Sequence, residues 1–198
     1  MINVNAMILA GGRSSRMGGP NKALIPLGDK TLIEHVIHRL QSQVDLLAIN
    51  GDLQTFATAG CPVIEDKVTN FSGPLAGLYS GLLDSRLSSA DYLLIAPCDG
   101  PFIPTNLVTE LYQLMVGQDA DIVCVRYEDV AQATFSLWHK RTAMAVKNAL
   151  LRDHNGGFKP LLGALKTVYY DWPDSSVNPF FNINTPQDLI VAEKILCL

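Results

Sequence analysis

Four short, continuously apolar runs at residues 6–9, 46–49, 92–96 and 122–125 alternate with longer segments whose apolar residues recur at helical spacing. Runs this short, lacking any polar alternation, read as strands buried on both faces. Between the first two, residues 31–42 set Leu32, Ile33, Val36, Ile37 and Leu40 on one helical face. A shorter strand at 62–64 precedes the turn residues Ser72, Gly73 and Pro74 and a helix carrying Leu75, Leu78, Tyr79, Leu82 and Leu83. Residues 104–116 supply another helix, with Leu107, Val108, Leu111, Leu114 and Met115 turned inward. Strands that alternate with helices require a parallel sheet covered on both sides, and right-handed crossovers make it a three-layer α/β/α sandwich. The expected fold class is therefore α/β, with a mostly parallel, Rossmann-like sheet.

The later third is less regular. Residues 134–138 read as a strand, 141–152 as a helix, and 167–170 and 180–183 as further strands of the same sheet. Thr185 as N-cap, Pro186 at the first helical position and Asp188 in the first turn start a last helix, expected to run through Ile195. No linker marks a boundary, so residues 1–198 are expected to form one domain, with the nucleotide side in its N-terminal part and the acceptor side in its C-terminal part. At this length, with 48% hydrophobic residues, such a domain can bury roughly 70% of its unfolded surface.

A sheet of this kind binds its ligands beyond the carboxyl ends of its strands, so every loop that follows a strand is a candidate. Residues 9–22 form the first such loop and read LAGGRSSRMGGPNK. Gly11, Gly12, Gly18 and Gly19 let backbone N–H groups approach an anion, while Arg13, Arg16 and Lys22 add three cations. That composition suits a polyphosphate; an ordinary glycine-rich surface turn with solvated charges has the same composition. Neither G-x-G-x-x-G nor G-x-x-x-x-G-K-[ST] occurs in it, which turns the reading away from a dinucleotide-binding dehydrogenase and a P-loop GTPase.

Three further loops carry chemistry. Asp99, in Pro97-Cys98-Asp99-Gly100-Pro101, stands at a strand's carboxyl end between two prolines. It can serve as a Mg²⁺ carboxylate or make a turn hydrogen bond. Residues 72–77, reading SGPLAG, precede a helix whose first N–H groups can face an anion or simply be capped, with Gly77 allowing close helix–sheet packing. Glu65 and Asp66 end another strand with acids able to accept from a base or ribose, or to sit in a solvated turn. In FFNINTP, Asn182 and Asn184 lie two apart and in an extended strand would share a face; cap chemistry is the alternative for Asn184 beside Thr185.

Other features exclude function classes. Net charge is −4, with the basic groups of the first loop gathered near the N-terminus, which excludes a general nucleic-acid or membrane-surface binder. The start MINVNAMILAGG lacks the charge and apolar length of a signal peptide, so a cytoplasmic protein is expected. Cys61, Cys98, Cys124 and Cys197 are scattered without a C-x-x-C pair and read as reduced, mostly buried thiols rather than a zinc site. His35 and His38, three apart on a helix, read as solvent-exposed.

In order along the chain, LAGGRSSRMG with Lys22, then GPLAG, PCDGPFIP and FNINTP closely resemble the molybdenum cofactor guanylyltransferases, a branch of the nucleotidyltransferases with a Rossmann-like core. The resemblance implies transfer of GMP from GTP to the phosphate of molybdopterin, with release of pyrophosphate and Mg²⁺ as cofactor. It implies nucleotide binding by Leu9, Ala10, Gly11, Gly12, Lys22, Asn50, Asp66 and Asp99, with Asp99 also the metal ligand. Arg16 is similar to the family's phosphate-contacting arginine, and with Lys22 and Asp99 makes the expected catalytic set; Asn182 and Asn184 resemble positions on the pterin side. Other proteins that make or receive the cofactor follow as partners, for a monomer or weak oligomer. One position departs from the family's pattern: an aspartate usually precedes the loop lysine, and here it is Asn21. A cytidylyltransferase or sugar-phosphate nucleotidyltransferase on the same core, and a nucleotide sensor without turnover, are the rival expectations.

Overall fold

The centre of the sheet is β1 (Val4–Leu9), buried along all but its last residue. In the computed structural model, which describes residues 3–11, 21–68, 73–152 and 157–197, it pairs in parallel with β4 (Leu47–Asn50) and β6 (Tyr92–Pro97). Two short strands, β2 (Pro26–Leu27) and β3 (Lys30–Thr31), form a separate antiparallel hairpin. Beyond β4 lies β5 (Val63–Ile64); beyond β6 lie β8 (Val130–His139), β7 (Ile122–Tyr127) and β9 (Thr167–Asp171), in the order β5-β4-β1-β6-β8-β7-β9. β8 runs against both its neighbours and the other six strands share one direction, as a mostly parallel sheet requires.

The register decides where a site can be. Leu9 stands opposite Asn50 on one side and Pro97 on the other, and Asn50 stands opposite Ile64. Four parallel strands therefore end on one line, and the loops leaving them open into the same space.

Side chains alternate along β1 as period-two geometry demands. Val4, Ala6 and Ile8 face a cluster built with α1 (Leu32–Leu40) and α3 (Leu107–Gln118), while Met7 faces a second cluster built with α2 (Pro74–Leu82), α4 (Ala143–Arg152) and α5 (Lys159–Ala164). These are the expected three layers. A third, smaller cluster joins Leu27 and Leu32 to Ile183 and to Ala192 of α6 (Pro186–Leu196). No helix among the described residues is long and apolar enough to cross a membrane.

Two element assignments expected from the sequence need correction. The segment 180–183 is not a strand. Asn178 Oδ1 accepts from the Phe180 amide at 2.8 Å, making a turn, and Phe180 and Ile183 then enter two different clusters instead of one sheet face. The helix expected from residue 104 starts at Leu107, because the Leu107 amide first closes a turn onto the Pro104 carbonyl at 3.3 Å. β7 and β8, expected as successive strands of the less regular later third, form a hairpin across Glu128 and Asp129 at φ 47° and 61°. Two consecutive positive φ values give the turn that matches strand twist, here without the usual Asn-Gly signal.

The last helix starts as expected. Thr185 Oγ1 accepts from the Asp188 amide at 3.2 Å, and Asp188 Oδ2 accepts from the Thr185 amide at 2.8 Å. Of the cysteines, Cys98 and Cys124 are buried, Cys61 is half-buried and Cys197 is exposed. His38 is exposed as expected, but His35 is half-buried, its ring nitrogen 2.8 Å from the Leu27 carbonyl oxygen.

Candidate nucleotide site at the strand ends

A cleft of about 260 Å³ opens where β1, β4, β5 and β6 end. Its floor is the chain leaving β1, where Leu9, Ala10 and Gly11 line it. The Ala10 amide donates to the Asn50 carbonyl at 2.9 Å and the Cys98 amide to the Leu9 carbonyl at 3.2 Å, so both neighbouring loops are fixed to this strand end. Of the glycine loop, Gly12, Arg13, Arg16, Gly18 and Gly19 lie outside the described residues.

Lys22 is placed by a single 3-10 turn, Lys22–Leu24. Asn21 caps that turn, its Oδ1 accepting from the Ala23 amide at 3.1 Å. A carboxylate could accept the same bond, so the departure at Asn21 keeps the cap and removes only the charge. From this turn the Lys22 ammonium donates to Asp99 Oδ2 and, at 2.8 Å, to Asn184 Oδ1. Three residues nominated from three separate loops thus meet at one nitrogen, across 77 and 162 positions of sequence. Both members of the ion pair are mostly shielded, at 17% and 14% side-chain exposure, so their attraction is screened less than that of a surface pair.

The expectation that Asn182 and Asn184 present one face of a strand does not hold, because that segment is irregular. It crosses over the Asp99 loop instead, with the Ile183 amide donating to the Asp99 carbonyl at 3.0 Å. Asn184 reaches Lys22. Asn182 Oδ1 is buried, has no hydrogen-bond partner among the described residues, and lies 3.3 Å from where a Cβ on Gly100 would stand.

On the other side, Asn50 ends β4 as a buried polar side chain. Its amide donates to the Ile64 carbonyl at 3.1 Å and to Asp66 Oδ1 at 2.9 Å, which uses both its N–H groups and aims the carboxylate. Only the resemblance pointed to Asn50; the available signal is an amide closing an otherwise apolar strand. Gly77 of α2 covers it so closely that a Cβ there would lie 2.4 Å from Asn50 Oδ1 and 2.9 Å from Leu9 Cδ2, which bears out the close-packing reading. Gly77→Ala is accordingly expected to cost about 1–3 kcal/mol, as overpacking does, and to weaken nucleotide binding by moving Asn50. Denaturant unfolding together with nucleotide titration checks this, and an unchanged midpoint with unchanged affinity would contradict it. Gly73, at φ 120°, and Pro74 bring the start of α2 to the cleft wall, where its terminal N–H groups favour negative charge.

Cys98 also lines the cleft, but burial, reinforced by the neighbouring Asp99 charge, pushes its thiol up to about 12. That shift favours the thiol over the nucleophilic thiolate at neutral pH. Thr134 of β8 lines the opposite wall and was missed in the sequence, because a threonine inside a strand carries no signature. Among the described residues no three potential ligands gather into a metal cluster. Mg²⁺ needs none, since it takes one or two carboxylates and completes its shell with water and phosphate oxygens, so Asp99 beside a phosphate-sized cleft fits it.

Residues 6–168 match the model of the MobA-like NTP transferase domain. A molybdenum cofactor guanylyltransferase of Rhodopseudomonas palustris (strain HaA2) is 41% identical over 194 residues, covering 96% of this chain and 91% of the relative. One of Yersinia pestis (strain Pestoides F) is 38% identical over 197 residues, covering 97% and 96%. Among solved structures, molybdopterin-guanine dinucleotide biosynthesis protein A of Archaeoglobus fulgidus superposes with a TM-score of 0.81 at 23% identity over 98% of both chains, a likeness of fold. With the family match spanning most of the chain and relatives this similar along its whole length, the chain belongs to the MobA-like NTP transferases, in the molybdenum cofactor guanylyltransferase family.

Proposed function

We propose that this protein transfers GMP from GTP to the terminal phosphate of molybdopterin, releasing pyrophosphate and forming the guanine dinucleotide cofactor. The observation that carries the reading is the meeting of Lys22, Asp99 and Asn184 between the Asn50–Asp66 pair and the C-terminal segment. Phosphate chemistry at that point has a base pocket on one side and room for an acceptor on the other.

The residues divide the work. Guanine presents N1–H and an exocyclic amine as donors, and Asp66, held by Asn50, supplies a carboxylate acceptor at the β4–β5 side of the cleft. Lys22 is a compact cation placed to offset charge on the phosphates, and the start of α2 adds partial positive charge. A pterin phosphate oxygen attacks the α-phosphorus in line; that P–O bond forms as the bond to pyrophosphate breaks, and Lys22 offsets the charge that leaves. Mg²⁺, which Asp99 would hold, supplies Lewis-acid polarisation of the phosphoryl oxygens when bound. No covalent enzyme intermediate is required. The same reading places the protein in the cytoplasm, with other proteins of cofactor assembly or use as its partners.

Pyrophosphate release measured with GTP and with CTP, each with and without molybdopterin, tests the reading. Release only with GTP and the acceptor is expected. A preference for CTP would make the protein a cytidylyltransferase, and GTP binding without any release would make it a sensor.

A further inference from the structure

We propose that Thr134 binds the acceptor phosphate, its hydroxyl hydrogen-bonding the attacking group on the wall of the cleft opposite Asn50; the proposal rests on the guanylyltransferase reading above. The feature behind it is a break in the sheet. β8 pairs Ser136 with both Ile95 of β6 and Cys124 of β7, yet the next β7 residue, Val125, pairs with Gln132. Residues 133–135 are therefore left out of both ladders, at the end of β6 that leads into Pro97, Cys98 and Asp99. Bulges of this kind re-aim side chains and recur beside active sites.

This bulge is held on three points. Ser136 Oγ donates back to the Ala133 carbonyl at 2.7 Å and accepts from Trp138 Nε1 at 2.8 Å, both from a fully buried position. Phe135 is driven into the core, edge-on to Phe180 at 5.1 Å between ring centres and pressed over Gly100, where a Cβ would lie 2.5 Å from its ring. The residue before it is left to face the cleft, and that residue is Thr134. The same contact with Gly100 packs the bulge against the loop that carries Asp99.

Position along the sheet decides which substrate the hydroxyl meets. In the order β5-β4-β1-β6-β8, Asn50 and Asp66 lie at the β4–β5 side, Lys22 and Asp99 at the middle, and Thr134 at the β8 side. With the base at one side and the α-phosphate at the middle, the group that arrives from β8 is the acceptor. A hydroxyl suits it, because it donates to a phosphate oxygen without adding a charge that would hold the nucleophile back.

Thr134→Val removes the hydroxyl and keeps the shape; Thr134→Ser keeps the hydroxyl. With wild-type turnover and GTP affinity as controls, Thr134→Val is expected to raise the KM for molybdopterin or lower kcat by about tenfold, the scale of one hydrogen bond to a charged group. Its GTP affinity should be unchanged, and Thr134→Ser should restore at least half of the loss. If wild type is active and Thr134→Val matches it in acceptor KM and kcat, Thr134 does not bind the acceptor. A parallel loss of GTP affinity in Thr134→Val, or failure of Thr134→Ser to recover activity, would equally overturn the proposal. Absence of molybdopterin-dependent release from the wild-type protein would instead sink the guanylyltransferase reading itself.

Discussion

Asp99→Asn is expected to lower Mg²⁺-dependent guanylyl transfer by about 10²–10³-fold or more, the range seen when one preorganised electrostatic contact at the reacting centre is removed. The substitution keeps the side chain's shape and leaves an oxygen able to accept from Lys22, and the backbone carbonyl that holds Ile183 is untouched. The fold should therefore survive, with an unfolding midpoint close to wild type. What is lost is the anion at the end of β6, which a hard divalent cation requires and an amide replaces poorly. GTP affinity in the presence of a chelator should then hold or improve, because Lys22 no longer divides its charge between a carboxylate and the phosphates. Titrating Mg²⁺ against pyrophosphate release, with GTP affinity measured in chelator, separates the two effects. Turnover within a few-fold of wild type at ordinary Mg²⁺ would overturn the metal role proposed for Asp99.

The same residue shows how far the sequence could be read. Asp99 follows an apolar run ending between prolines, so its place at a strand end was legible from local pattern alone. That it would meet Lys22 was not, because the contact depends on the register that sets Leu9 opposite both Asn50 and Pro97, and nothing local encodes pairing between strands so far apart. The three layers were legible for the complementary reason: strand and helix periods are local properties, and parallel connection follows from their alternation. Where the expectations failed, tertiary demands overrode a local signal. Phe180 and Ile183 have the apolar character of a strand but serve two clusters. Thr134 was invisible because its exposure to the cleft is produced by the bulge, by Ser136 and by Phe135 packing on Gly100, all of them contacts rather than motifs. Asn50 stood out only through family resemblance, although a buried amide that spends both N–H groups on Ile64 and Asp66 has a clear structural reason once the sheet is in place.

Lys22→Ala is expected to weaken GTP binding and to lower turnover, together reducing kcat/KM by about a hundredfold or more. The loss has two sources. One is direct, since the cation proposed to face the phosphates is gone. The other is architectural, since this one ammonium joins Asp99 at the end of β6 to Asn184 at the start of the C-terminal segment, and both lose their tie at once. Asp99 is left mostly shielded without its partner, a penalty of about 1–2 kcal/mol for a pair between the surface and buried limits. Lys22→Arg should recover only a small part of the rate. A planar guanidinium directs its N–H bonds into one fork, whereas the ammonium here donates in separate directions to a carboxylate and an amide oxygen. Salt gives an independent check: if the charge itself draws GTP in, raising ionic strength will weaken wild-type affinity more steeply than that of Lys22→Ala. Equal salt slopes with unchanged affinity would return Lys22 to a structural tie between two loops, and would leave the charge on the phosphates to be met by residues other than Lys22.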